Sequence, residues 1–180
     1  MTRALPLALL ALVAGAAGFF IYLKLFTQAP PETQPATAAR QAAEFAPAFT
    51  LRGREGVPRA STEWEGSVRV VNFWATWCPP CIREIPLLVD VQDRFGDRGV
   101  QVIGIAIDET EAVAEFAADF DFNYPVLIGQ QDAMDLANTF VNNFIGLPFT
   151  AFTDREGRIL RVHTGEIHRE QIEAILAELL

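Results

Sequence analysis

The run Trp77-Cys78-Pro79-Pro80-Cys81 holds both cysteines of the 180-residue chain, and it constrains the fold more than any other feature. It lies between an apolar, strand-like segment, Val68 to Ala75, and a helix-like one, Ile82 to Phe95. Two thiols three positions apart at a helix start can close and reopen a disulfide with little backbone movement. The helix N-terminus presents unpaired N–H groups and partial positive charge, which makes the first thiol more acidic. This is the arrangement of a dithiol redox centre.

Two cysteines are too few for a disulfide scaffold. Half of the residues are apolar, 14 of them Phe, which is enough for one ordinary domain with a real core. A formal net charge of −9 arises from scattered acidic residues and argues against nucleic acid as a partner.

Between Arg3 and Lys24 lies an uncharged stretch, Ala4 to Leu23. As a helix it would span about 30 Å, the thickness of a bilayer core. Two readings stand: an uncleaved signal-anchor over residues 1–26, or a cleaved signal peptide with Ala14-Gly15-Ala16 as its processing site. Cleavage there would leave an N-terminus rich in Phe, Ile and Leu, which favours the anchor. Either reading exports the C-terminal part and places it in the periplasm or otherwise outside the cytoplasm, on the inner membrane if anchored. Residues 27–44, with Pro30, Pro31 and Pro35, form a semi-extended linker, and the domain proper covers 45–180.

Within that domain, Phe49 to Leu51 and Val57 to Ala60 read as a small hairpin. Thr62-Glu63-Trp64-Glu65 has capping-box spacing and suggests one helical turn ended by Gly66. Alternation follows: strand Val68 to Ala75, helix Cys78 to Phe95, strand Val100 to Ile107, helix Glu111 to Phe120. Pro125 to Ile128 is a short strand and Ala133 to Phe144 a helix. Phe149 to Thr153 and Arg158 to His163 form a hairpin, and an amphipathic helix, Arg169 to Leu180, closes the chain with Ile172, Ile175, Leu176 and Leu179 inward. The pattern predicts an α/β fold: a mixed central sheet with helices on both faces and an N-terminal hairpin.

The chain resembles the thioredoxin fold, and in particular the TlpA/ResA-like branch of membrane-anchored periplasmic thiol–disulfide oxidoreductases that includes cytochrome c maturation thioredoxins. The likeness is carried by Ala46-Pro47-Ala48-Phe49-Thr50-Leu51, by Val71 to Cys81, and by Glu84-Ile85-Pro86. Gly104-Ile105-Ala106-Ile107-Asp108 and Gly146-Leu147-Pro148 add to it. One departure is Phe149-Thr150-Ala151, where relatives commonly carry Thr-Thr-Phe after the proline.

Cys78 is the expected nucleophile and Cys81 the resolving thiol, exchanging electrons through a mixed disulfide with a protein substrate. The competing readings are half of a zinc site or a static bridge. A zinc site needs further ligands, and His163 and His168 stand far away without ligand spacing. No metal or cofactor is expected. Pro79 and Pro80 lack backbone N–H groups, so near the Cys78 sulfur only the donor of Cys81 remains. Fewer donors mean a less stabilised thiolate, the opposite of the strong oxidants with a thiolate pKa of about 3.5 and a potential of about −120 mV. The pair therefore points toward a reductant, although rigidity at the helix start also accounts for prolines there.

Glu84 lies about one turn past Cys81. The resemblance implies a role near the dithiol, where a shielded carboxylate could accept the Cys81 proton; a solvated helix glutamate is the alternative. Asn72 stands six before Cys78, where many thioredoxins place a buried acid, and an amide accepts no proton. Pro148 resembles the cis-proline facing the dithiol in this fold, with Leu147 offering backbone groups to substrate; a trans turn proline is the alternative. Trp77, Pro79 and Pro80 are expected to frame the substrate, and Trp74 to be core. Pro86 should disturb its helix, Asp108 should cap the next one, and His163 and His168 should be surface residues.

These features describe a protein-disulfide reductase. The resemblance implies apocytochrome c or a copper-delivery protein for cytochrome oxidase as substrate, with a membrane-embedded thiol carrier as donor. Two rivals remain on the same fold: a Cu(I) delivery module, which lacks an added His or Met ligand, and a thiol peroxidase, which lacks the Thr or Ser expected three before a lone cysteine.

Overall fold

The structure, a computed structural model, describes residues 44–141 and 144–180. The 1–26 anchor and all of the 27–44 linker except Glu44 lie outside the described residues. Among the described residues no helix is long and apolar enough to cross a membrane.

Seven strands form one mixed sheet. They are β1 (Thr50–Gly53), β2 (Pro58–Ala60), β3 (Val68–Trp74), β4 (Val100–Ile107), β5 (Val126–Gly129), β6 (Phe149–Thr153) and β7 (Ile159–Thr164), in the spatial order β2-β1-β5-β4-β3-β6-β7. β3, β4 and β5 run parallel. The rest pair antiparallel, so the hairpins expected at either end of the domain occupy the two edges. The parallel strands need crossovers, which are helices α1 (Pro79–Phe95) and α2 (Thr110–Ala118). Helices α3 (Gln131–Phe140) and α4 (Arg169–Leu179) complete the domain.

The pleat of β3 divides its side chains between two cores. Val68, Val70 and Trp74 face the cluster filled by Ile85, Leu88 and Val91 of α1, Val113 of α2, and Ile172 and Leu176 of α4. Val71 and Phe73 face the other cluster with Ala133, Leu136, Ala137 and Phe140 of α3 and Trp64. On that side Phe73 stacks on Phe149 at 4.3 Å and meets the Phe140 edge at 5.6 Å. Trp74 is core, as expected, packed between Phe116 and Phe122. Gly104 lies opposite Asn72 in the ladder, and a Cβ there would come within 3.2 Å of both Trp74 and Tyr124.

Three local expectations need correction. The helical turn is a 3-10 turn, Ser61–Trp64, and the reaching carboxylate is Glu63, which accepts from the Ala60 N–H at 2.8 Å. The capping frame thus starts two residues earlier than the Thr62–Glu65 pattern. Gly66 does follow the turn, at φ +81°. Helices α2 and α3 stop at Ala118 and Phe140, short of Phe120 and Phe144. Asp108 does not cap α2: Glu109 occupies the cap position without a side-chain bond, and the Asp108 carboxylate turns toward the dithiol loop.

Candidate active site

The C-terminal ends of β3, β4 and β5 lie together because those strands are parallel, and β3 leads directly into the dithiol. Cys78 caps α1, and Pro79 and Pro80 open it, where their missing N–H groups disrupt no intrahelical bond. The Cys81 N–H donates to Cys78 Sγ at 3.4 Å. It is the donor that survives the two prolines. Cys78 and Cys81 are disulfide-bonded, S–S 2.01 Å. Cys78 is 4% exposed and Cys81 fully enclosed, so both belong to the core and the first is the less covered of the two, not the open thiol expected at a helix entry.

Beside them Trp77 stands 68% exposed, and a groove of about 340 Å³ runs from it past Asp108 and Glu109 to Gln130 and Met134. Pro79 is exposed and Pro80 half-buried. The Leu147–Pro148 bond is cis. Since Phe73 pairs with Phe149, Pro148 is carried to the end of β3 from which the dithiol loop departs. The Pro148 carbonyl is taken by the Gly165 N–H at 2.9 Å, and Leu147 packs half-buried against both cores.

Glu84 is not a solvated helix residue. It is 1% exposed, on the face of α1 one turn beyond Cys81. Its Oε1 accepts from Asn72 Nδ2 at 2.6 Å and its Oε2 from the Ile167 N–H at 3.0 Å. Burial pushes its carboxyl up to about 7; these two hydrogen bonds pull it down, and the nearby Glu166 charge adds to the rise. Tyr124, buried in the same core, has its hydroxyl raised mainly by burial and also by the charge of Glu84. The Asn72 amide also donates to Thr150 Oγ1 at 3.0 Å, so it bridges the carboxylate to β6.

Neither the Asn72–Glu84 contact nor the Ile167 N–H could be anticipated, because each joins residues brought together by the sheet and the final loop. Asp108, which follows β4, is visible in the sequence, but its partner is not. Pro86 lies within α1, where its missing N–H leaves the Ile82 carbonyl without its usual partner. His163 is half-buried, with Nε2 3.2 Å from the Glu166 carbonyl, and His168 is exposed. Among the described residues no group of three or more His, Cys, Asp or Glu side chains is placed to hold a metal ion.

A sequence model of Redoxin matches residues 41–180, the whole of the described domain. The chain belongs to the Redoxin family. It is 30% identical over 175 residues to the thiol–disulfide oxidoreductase ResA of Geobacillus thermodenitrificans, covering 95% of this chain and 92% of that one. ResA of Bacillus thuringiensis is 28% identical over 174 residues with the same coverage. A thiol:disulfide interchange protein of the thioredoxin family from Chlorobium tepidum superposes with a TM-score of 0.68 at 29% identity, covering 75% of this chain and 94% of that chain. The exposed lipoprotein thioredoxin of Streptococcus pneumoniae gives 0.63 at 25% identity, covering 74% and 100%. This Redoxin member is therefore a ResA-like thiol–disulfide oxidoreductase with a thioredoxin-like fold.

Proposed function

We propose that the protein works mainly as a reductase of protein disulfides, with Cys78 as nucleophile, Cys81 as resolving thiol and Glu84 as proton acceptor. The observation that carries this is the Cys78–Cys81 pair closed across the start of α1, with the enclosed Glu84 carboxyl one turn beyond it, pushed up to about 7 by burial. At that value it takes up and returns a proton with little driving force either way. The two prolines, which leave only the Cys81 N–H at the Cys78 sulfur, favour the reducing direction.

In the reaction the Cys78 thiolate attacks one sulfur of the substrate disulfide, and the other substrate sulfur leaves as a thiolate and is protonated. Glu84 takes the Cys81 proton. The Cys81 thiolate then attacks Cys78 Sγ, expelling the second substrate thiolate, which is protonated in turn. The substrate gains two electrons and two protons, and the protein is left with the Cys78–Cys81 disulfide. Trp77, Pro79, Pro80, Leu147 and cis-Pro148 line the approach for an extended substrate segment.

A location outside the cytoplasm, held by a single N-terminal span, is supported by the Ala4 to Leu23 stretch. The ResA alignments cover 95% of the chain and so reach into that stretch. In such a compartment apocytochrome c or a copper-delivery protein is a fitting substrate, and a membrane-embedded thiol carrier a fitting donor.

The test is the reduction potential of the Cys78–Cys81 couple together with trapping. A potential below about −200 mV is expected, and Cys81→Ser should accumulate a mixed disulfide that Cys78→Ser does not form. A potential near that of the strong oxidants would falsify the reductase direction.

A further inference from the structure

We propose that Asp108 is a positioning residue for the exchange reaction, holding the turn before Cys78 so that Trp77 forms one wall of the groove that receives a protein substrate. This rests on the reductase reading of the same site. β4 is held in register by parallel partners on both sides, and the Asp108 N–H donates to the Gly129 carbonyl at 3.1 Å. The carboxylate is thus delivered at a fixed point beside the dithiol turn. Its Oδ2 accepts from both the Thr76 N–H, at 2.9 Å, and Thr76 Oγ1, at 2.7 Å. Its Oδ1 accepts from the Glu109 N–H at 2.8 Å. Three donors leave the side chain no freedom to turn away.

The turn from Ala75 to Cys78 has one backbone bond of its own, Cys78 N–H to the Ala75 carbonyl at 3.2 Å. Burial does not hold the Trp77 ring either, because most of it faces solvent. The direction in which its Cα–Cβ bond leaves the chain is set by the backbone it grows from, and that backbone is tied to the sheet through Thr76 and Asp108. The occupant of the groove is the segment of the protein substrate flanking the cysteine that Cys78 attacks, since the groove begins at the residue next to Cys78. A small disulfide reaches the sulfur without using this wall.

The experiment compares single-turnover reduction of insulin and of a small aromatic disulfide by the reduced protein, using Asp108→Ala, Thr76→Val and Thr76→Ser. Asp108→Ala should lower the second-order rate with insulin about tenfold and that with the small disulfide less than about twofold. Its dithiol potential should stay unchanged, and acrylamide quenching of the exposed tryptophan should be altered. Thr76→Val should show a smaller loss of the same kind, and Thr76→Ser should restore wild-type rates, because the hydroxyl is what it keeps. Equal loss on both substrates, or no loss on either, overturns the assignment while leaving the reductase reading intact. A wild-type protein that reduces neither substrate sinks both.

Discussion

Asn72 Nδ2 lies 2.6 Å from Glu84 Oε1 in the interior of the domain. An amide therefore occupies the place from which a second acid would have competed for the proton. A neutral donor sets no second charge against the carboxyl, and burial, outweighing the two hydrogen bonds, sets its pKa high.

This makes stability depend on pH in a definite direction. Folded Glu84 keeps its proton to about pH 7, whereas the ordinary value is 4.5, so between those values the folded chain binds the extra proton. The stabilisation is complete below pH 4.5 and is lost as pH rises through 7. It amounts to about 3 kcal/mol at about 1.4 kcal/mol per pH unit. Urea midpoints across that range should show the slope in the wild type and its disappearance in Glu84→Gln.

Asn72→Asp would set a second carboxylate against the first. Both cannot ionise in that enclosure, so one proton is shared and the pair titrates in two separated steps. Thermal melts should show a loss of about 2–4 kcal/mol at pH 8 that largely recovers at pH 5. A variant equally weakened at both values would show that shape, not charge, is the cause.

Glu166 acts on Glu84 from outside, through charge. It is held by Arg83 across an exposed pair at 2.5 Å, a contact worth less than about 1 kcal/mol. Glu166→Gln should shift the Glu84 titration downward in a carbon-13 NMR experiment, with little change in melting temperature. An upward shift would mean that displacement of the Ile167 N–H outweighs the lost charge.

Trp77 and Phe140 should behave oppositely. Trp77→Ala should change folding stability by no more than about 0.5 kcal/mol, because the ring is mostly in water, while protein-disulfide reduction falls. Phe140→Ala removes a fully buried ring edge-on to Phe73 and should cost about 3–5 kcal/mol. Denaturant unfolding and insulin turnover measured on the two variants separate stability from recognition.

Much of the fold could be read in advance because apolar runs bounded by turn residues leave little choice. Val100–Ile107 and Phe149–Thr153 are strands over the residues expected, and the Cys78-to-Phe95 helix needed only Cys78 moved to the cap. Helix ends were less legible: Phe120 and Phe144 continue the apolar spacing of α2 and α3, but backbone pairing stops earlier. The dithiol could be read from residue types three positions apart. Glu84 could not be decided from the helix alone, since the loop carrying Ile167 and the Asn72 side chain cover it from elements far away in sequence. The partner of Asp108 is hidden from the sequence for the same reason: a carboxylate before a helix fits a cap, and only the parallel alignment of β3 and β4 brings Thr76 to its other oxygen.

The prolines at the first two positions of α1 have a consequence for turnover. Each fixes its own φ, so two of the main-chain torsions between the sulfurs stay as they are when the bond opens. The protein can therefore cycle between its bonded and open states with little reorganisation of its main chain.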